Sequence, residues 1–206
     1  MNDWPKLVGL SIQSRLESEG VTESYAAVQQ SLGRPVFVKS LKSNVLPSSP
    51  FATALGREAQ LLSLLSHPNI QRLYDYQRTE SQMWLVLEHL DGQSLATVIS
   101  RVKKLPPMAV ASIGFMVASA LVHCHESGVV HRAISPKNLV VGQDGRIVLV
   151  NFVGAVKDRV PTTPELLDGG AHLSVSPYYS PEQVLGETID GRSDLFSLGA
   201  VLYEAL

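Results

Sequence analysis

The chain has 206 residues, of which 45% are hydrophobic and 17% charged, and its formal net charge is -2 at pH 7. This composition predicts a globular fold with a sizeable core and excludes a disordered chain, while the small negative charge gives no electrostatic case for binding nucleic acid. The lone cysteine, Cys124, excludes an internal disulfide framework. We see no signal-peptide pattern and no apolar run of the ~18 residues that a membrane helix needs, so we expect a cytoplasmic protein without a membrane segment.

The first ninety residues predict several strands and one helix. Short β-compatible runs, separated by turn residues such as Gly33 and Pro35, predict the strands. Apolar residues at helical spacing predict a helix, which Pro68 would bring to an end. The predicted strands cover residues 10–12, 24–28, 36–38, 70–76 and 83–88, and the predicted helix covers residues 51–66.

The remaining residues predict three helices. Residues 94–102 predict a short one, and residues 107–127 predict a longer one because their apolar side chains recur three and four positions apart. A third helix closes the chain. Its predicted apolar face consists of Leu195, Leu198, Val201, Leu202 and Ala205.

A hairpin is predicted in the middle of this half. Two apolar runs, at 140–141 and 147–150, flank a turn at 142–145 that contains two glycines and an aspartate. Such a hairpin would bring the polar loop at 131–138 close to Asn151. Residues distant in sequence would then form one site.

The polar residues around this hairpin resemble the signature of the protein kinase family. His131-Arg132-Ala133, with Asn138 five positions after Ala133, resembles His-Arg-Asp-x-x-x-x-Asn, and Asn151-Phe152-Val153 resembles Asp-Phe-Gly. The spacing is that of the bacterial and eukaryotic serine/threonine kinases, and the resemblance covers residues 7–206. Further residues that occur in the family's order are Lys39, Glu58, Pro181, Glu182, Asp194 and Gly199.

The resemblance implies an α+β fold with two lobes. Residues 1–90 would form a small lobe of a five-stranded sheet plus one helix, and residues 91–206 a partial helical lobe ending in its central helix. In that helix Asp194 would hold the backbone of the 131–138 loop. Because the chain stops inside this helix, we expect the family's remaining helices to be absent and apolar surface to be exposed.

The resemblance also implies a site for ATP. Lys39 would pair with Glu58 on the following helix and position the nucleotide's phosphates. Adenine would be held by backbone groups of Glu88 and Leu90, with Leu87 beside the pocket. Since backbone groups survive most side-chain changes, such a slot could persist after catalysis is lost.

The residues that carry the family's chemistry are altered. Kinases use one aspartate to accept the substrate's proton and a second to bind Mg²⁺, and Ala133 and Asn151 occupy these two positions. Loss of a general base typically costs ~10²–10⁴ in rate. Lys137 matches the phosphate-steadying lysine, and Asn138 matches the second metal ligand. Asn138 and Asn151 are the candidate metal ligands, but Asn151 offers a neutral oxygen where Mg²⁺ prefers a charged one, and ATP with Mg²⁺ is therefore expected to be a poor cofactor pair.

Two further segments depart from the family. Glu17, Glu19 and Thr22 stand where the family has its phosphate-covering glycines, and each carboxylate would repel a phosphate charge by roughly 1–4 kcal/mol. We interpret this segment as a solvated hairpin tip rather than a phosphate cradle. Arg132 could bind a phosphate group carried by the loop that follows Gly154. The candidate phosphate acceptors there are Thr162, Thr163, Ser174 and Ser176.

These residues predict a catalytically impaired kinase-like domain, a pseudokinase. It would act as a regulatory or scaffolding module with a protein partner and could retain nucleotide binding. The first alternative is an active or weakly active ATP-dependent serine/threonine kinase in which Lys137 and Asn138 do reduced work. The second alternative is a non-functional fragment of a longer kinase-like protein.

Overall fold

The computed structural model describes residues 4–157 and 176–206, with the backbone alone for residues 17–19. The candidate phosphate acceptors Thr162, Thr163 and Ser174 lie outside the described residues. Ser176 lies within them.

The N-terminal part forms a five-stranded antiparallel sheet in the order β1-β2-β3-β5-β4. The predicted strands are confirmed, although the first three are longer than expected and the fourth begins at Leu73 rather than at residue 70. The turn between β2 and β3 needs Gly33, whose φ of 63° is the left-handed conformation that glycine adopts without strain. The strands are β1 (Leu10–Glu19), β2 (Thr22–Gln29), β3 (Arg34–Leu41), β4 (Leu73–Arg78) and β5 (Met83–Glu88).

One helix, α1 (Pro50–Leu62), crosses this sheet. It begins because Ser49 accepts a hydrogen bond from the Ala52 amide and Pro50 fits the first helical turn. The prediction placed its end at residue 66, four positions too late. The Ser63 hydroxyl bonds instead to the carbonyl of Gln60, and such local bonds compete with helix continuation.

The C-terminal part is mainly helical, and its predicted hairpin is confirmed as β8 and β9. The elements are β6 (Gly92–Ser94), α2 (Leu95–Val102), α3 (Pro107–Glu126), β7 (Val129–Val130), a 3₁₀ turn (Pro136–Asn138), β8 (Leu139–Gly142), β9 (Ile147–Leu149), a second 3₁₀ turn (Phe152–Gly154), β10 (Val156–Lys157), α4 (Pro181–Leu185) and α5 (Gly191–Ala205). One hydrophobic cluster runs from α1 and the inner face of the sheet through α2 and α3 to α5. The expected lobe boundary at residue 90 remains a prediction.

One face of helix α3 lies in the core and packs against α5, β7 and β9. Its predicted apolar face is buried except for Met116, which is partly exposed. By length and composition alone α3 could cross a membrane, contrary to our expectation that no run in the chain would qualify. A buried helix at the centre of a globular domain meets the same criteria.

The buried face of helix α5 includes the carboxylate of Asp194 as well as apolar side chains. Leu198, Val201 and Ala205 are buried as predicted. Leu195, at the start of the predicted apolar face, is 51% exposed. The reason is Asp194, which lies four residues before Leu198, turns inward and is fully buried.

Asp194 holds the loop that follows β7, as the resemblance implied. Its carboxylate accepts hydrogen bonds from the backbone amides of His131 and Arg132, at 2.9 and 2.7 Å. It also pairs with the His125 imidazole at 2.9 Å. The φ of Arg132 is 68°, a left-handed conformation that non-glycine residues rarely adopt. The two hydrogen bonds from the backbone amides to Asp194 hold the backbone in this conformation.

Exposed apolar side chains lie on α4 and α5, in agreement with the expectation of exposed apolar surface. They are Val184, Leu185, Leu195, Phe196 and Tyr203, each between 49% and 85% exposed.

Replacing Asp194 with asparagine should destabilise the fold, because the neutral side chain would present an N–H group to backbone amides. We expect the Asp194→Asn variant to lose roughly 2–3 kcal/mol of unfolding free energy, the size of a hydrogen bond to a charged group. Urea unfolding measures this loss. Glu126→Gln, the same acid-to-amide change at an exposed position of α3, is the control, and equal stability of the two variants would contradict the role of Asp194.

Candidate functional site

Lys39 and Glu58 form a nearly buried ion pair between β3 and α1. The Lys39 ammonium lies 2.8 and 3.0 Å from the two carboxylate oxygens of Glu58. The side chains are 12% and 2% exposed. The predicted pairing is confirmed, and α1 is thereby held against the sheet.

The same ammonium reaches the other half of the molecule. Lys39 Nζ donates to Asn151 Oδ1 at 3.1 Å, and Asn151 Nδ2 donates to Asn138 Oδ1 at 3.2 Å. Asn138 Nδ2 in turn donates to the carbonyl of Ala133 at 2.7 Å. The β8–β9 hairpin therefore brings Asn138 and Asn151 together as predicted, and a continuous chain of hydrogen bonds leads from Glu58 to Ala133.

The backbone of Ala133 is held by hydrogen bonds, but its side chain has no proton acceptor. The Ala133 amide donates to His131 Nδ1 at 3.2 Å, and its carbonyl is bonded to Asn138. Lys137, in the first 3₁₀ turn, is exposed. The backbone at this position is ordered by its neighbours, while the methyl side chain can neither accept nor donate a proton.

His131 is fully buried and is held as a neutral ring. Because Nδ1 accepts from the Ala133 amide, the ring proton lies on Nε2 and is donated to the Val150 carbonyl at 3.1 Å. Burial lowers the pKa of His131 below its ordinary value of 6.5. The ring also meets Phe152 edge-to-face, with 4.5 Å between centroids.

The segment after β5 shows an interaction that sequence reasoning missed. The side chain of Gln71, itself buried, donates from Nε2 to the carbonyl of Glu88 at 2.9 Å. The Glu88 amide donates to the Arg72 carbonyl, so this amide has a partner already. Leu87 is buried and Leu90 is partly exposed. No sequence signal distinguished Gln71 from the polar residues beside it, Asn69 and Arg72. Adenine binding at Glu88 and Leu90 remains a prediction.

Sequence reasoning also missed a contact between α4 and the 131–138 loop. Helix α4 begins with a capping box between Ser180 and Gln183, and Gln183 Nε2 donates to the carbonyl of Arg132 at 2.9 Å. Glu182 accepts a hydrogen bond from the Ser193 hydroxyl. The loop is thus held by α4 as well as by α5.

The tip of the β1–β2 hairpin is tight. Glu19 pairs with Thr22 across the hairpin, and Gly20 has a φ of 50°. Lys42 Nζ donates to the carbonyl of Gly20 at 2.6 Å, which ties the tip to the end of β3. The side chains of Glu17 and Glu19 lie outside the described residues, so their predicted effect on phosphate stays a prediction.

The candidate metal ligands do not fit Mg²⁺. The ion usually takes one or two carboxylates with water and phosphate oxygens, whereas Asn138 and Asn151 offer two amide oxygens that already accept hydrogen bonds from Asn151 and Lys39. Within residues 4–157 and 176–206, no three His, Cys, Asp or Glu side chains come together as a metal site.

The buried ion pair gives a test of the site's construction. Lys39→Met would leave the Glu58 carboxylate buried without its cation, and we expect a loss of about 3 kcal/mol of unfolding free energy. The double variant Lys39→Met/Glu58→Met removes both charges and should recover most of that loss. Urea unfolding of Lys39→Met, Glu58→Met and the double variant forms a complete double-mutant cycle. If the double variant lost the sum of the two single losses in unfolding free energy, the pair would not be coupled.

The lowered pKa of His131 predicts the direction of a pH effect. The unfolded chain binds the proton more readily, near pH 6.5. The contribution of neutral His131 to stability is therefore fully present above about pH 6.5 and is lost as the pH falls from there through the folded pKa. An NMR titration of the His131 ring should give a pKa below 6.5, and a value at or above 6.5 would contradict the neutral, buried ring.

Comparison with known proteins agrees with this geometry. The family model of the protein kinase domain matches residues 18–206. A probable serine/threonine-protein kinase of Streptomyces coelicolor is 34% identical over 91% of this chain and 28% of its own length. PknB of Mycobacterium leprae, named a serine/threonine-protein kinase, is 30% identical over 91% of the chain and 30% of its own length.

A third relative, the serine/threonine-protein kinase PknL of Mycobacterium tuberculosis, is 30% identical over 95% of this chain and 48% of its own length. The chain thus spans less than half the length of each of these relatives. With the five-stranded sheet, the helical part and the Lys39–Glu58 pair in place, and with the family match extending over residues 18–206, the chain belongs to the protein kinase family.

Proposed function

We propose that this domain is a catalytically impaired member of the protein kinase family, a regulatory or scaffolding module that retains nucleotide binding. The observation that carries the proposal is Ala133, whose backbone is held in a fully ordered loop while its side chain offers no base. A loop that keeps its conformation but lacks the proton-accepting carboxylate is suited to binding rather than to phosphoryl transfer.

The loss in rate expected without a general base and without a charged metal ligand supports this proposal. A positioned general base contributes ~10²–10⁴ in rate. A neutral Asn151 adds a second loss, because kinases stabilise the transferred phosphoryl group through metal ions held by charged oxygens. The nucleotide-facing frame is retained: Lys39 is paired with Glu58 and remains within reach of Asn151.

An active or weakly active ATP-dependent serine/threonine kinase is the second candidate. The comparisons favour it over the impaired domain, since the three relatives described above carry the name of serine/threonine kinases. In that case Lys137 and Asn138 would carry the residual chemistry. The proposal of impairment depends on Ala133 and Asn151, together with Val153 in place of the family's glycine and the glutamates at 17 and 19.

A protein partner in the cytoplasm completes the proposal. The exposed apolar side chains of α4 and α5 support it, because apolar surface left open to water is available for contact with another protein. The partner's identity would follow from a binding screen with the whole chain.

Phosphate transfer tests the proposed function directly. We expect the protein, given labelled ATP, Mg²⁺ and a generic protein substrate, to transfer no more label than the Lys39→Met variant. The reason is that neither protein has a base at position 133. The Ala133→Asp/Asn151→Asp variant, which restores both acids, should exceed both.

Transfer by the unaltered protein that exceeds Lys39→Met, and that is lost in Asn138→Ala, would contradict impairment and establish the kinase alternative. A heat scan of the same samples serves as the control for folding. Cooperative unfolding would exclude the second alternative, a non-functional fragment.

A further inference from the structure

The orientations of the two asparagine side chains are fixed by their neighbours. An ammonium group can only donate, so the Asn151 atom 3.1 Å from Lys39 Nζ is the oxygen. A carbonyl can only accept, so the Asn138 atom 2.7 Å from the Ala133 oxygen is the nitrogen. The atoms that face each other at 3.2 Å are therefore the Asn138 oxygen and the Asn151 N–H.

This contact replaces the bridge that a cation would otherwise supply. An aspartate at position 151 would place a second acceptor against the Asn138 oxygen, and two acceptors at this distance need a cation or a proton between them. Asn151 supplies that proton from its own amide. The pair is satisfied without any ion.

The residues at positions 133 and 151 also change the charge of the site. Ala133 and Asn151 are both neutral, so two carboxylates that would repel a free polyphosphate and attract a metal ion are missing. Within the hydrogen-bonded network the charges of Lys39 and Glu58 cancel, and the exposed Lys137 lies outside that network.

We propose that the site formed by Lys39, Asn138 and Asn151 binds the phosphates of a nucleoside di- or triphosphate as the metal-free anion, with the Asn151 amide in place of the cation. This inference rests on the nucleotide binding proposed above and deepens it. Lys39 is the cation that meets the phosphates. Mg²⁺ is not a part of the site and, by masking phosphate charge, does not strengthen binding.

The test is a calorimetric titration of the whole chain with ATP, once in EDTA and once in excess Mg²⁺. We expect the dissociation constant in EDTA to be no larger than that in Mg²⁺. Binding that Mg²⁺ strengthens more than twofold overturns the inference but leaves nucleotide binding intact. The absence of binding in both buffers overturns the nucleotide binding of the proposed function, and the inference with it.

Asn151→Asp assigns the effect to the amide. The added carboxylate faces the Asn138 oxygen, so we expect binding in EDTA to weaken at least tenfold and Mg²⁺ to restore it. Asn44→Asp adds the same charge at an exposed turn outside the site and should bind as the unaltered protein does. If Asn151→Asp keeps the metal independence of the unaltered protein, or if Asn44→Asp loses it, the assignment to Asn151 is wrong.

Discussion

The site depends on one buried carboxylate. Asp194 has no exposed surface, and it accepts two backbone amides of the 131–133 loop together with the His125 ring. A buried charge is stable only when its hydrogen bonds are complete, so the loop has little freedom to move away from it. The left-handed backbone of Arg132 and the position of Ala133 follow from this constraint, whereas the neutral ring of His131 follows from its own burial, which lowers its pKa.

The frame and the chemistry of the site are separate in this protein. The bonds that hold the frame run through backbone groups, Lys39, Glu58 and two amides, and none of them needs an acid at position 133 or 151. Hydrogen bonds can therefore preserve a kinase-family site in which the proton acceptor and the charged metal ligand have been replaced. This separation is the physical basis for proposing that the domain binds without catalysing transfer.

Much of this arrangement could be predicted from the sequence. Strand and helix positions followed from periodicity, and the meeting of Asn138 with Asn151 followed from the β8–β9 turn. The burial of Asp194 came from the resemblance. Periodicity alone could not show which part of the α5 face is covered, because a pattern of apolar residues gives no signal that Asp194, beside Leu195, turns inward. The bonds of Gln71 and Gln183 to distant carbonyls could not be predicted, since they depend on three-dimensional distances between segments far apart in the chain.

Without the groups for phosphoryl transfer, the assembled site should leave the protein itself unphosphorylated. Intact-protein mass spectrometry of the chain after long incubation with ATP and Mg²⁺ tests this most directly, because it detects any phosphate that the protein transfers to itself. We expect an unchanged mass. A mass increase of one or more phosphates, which requires Mg²⁺ and disappears in the Lys39→Met variant, would contradict it.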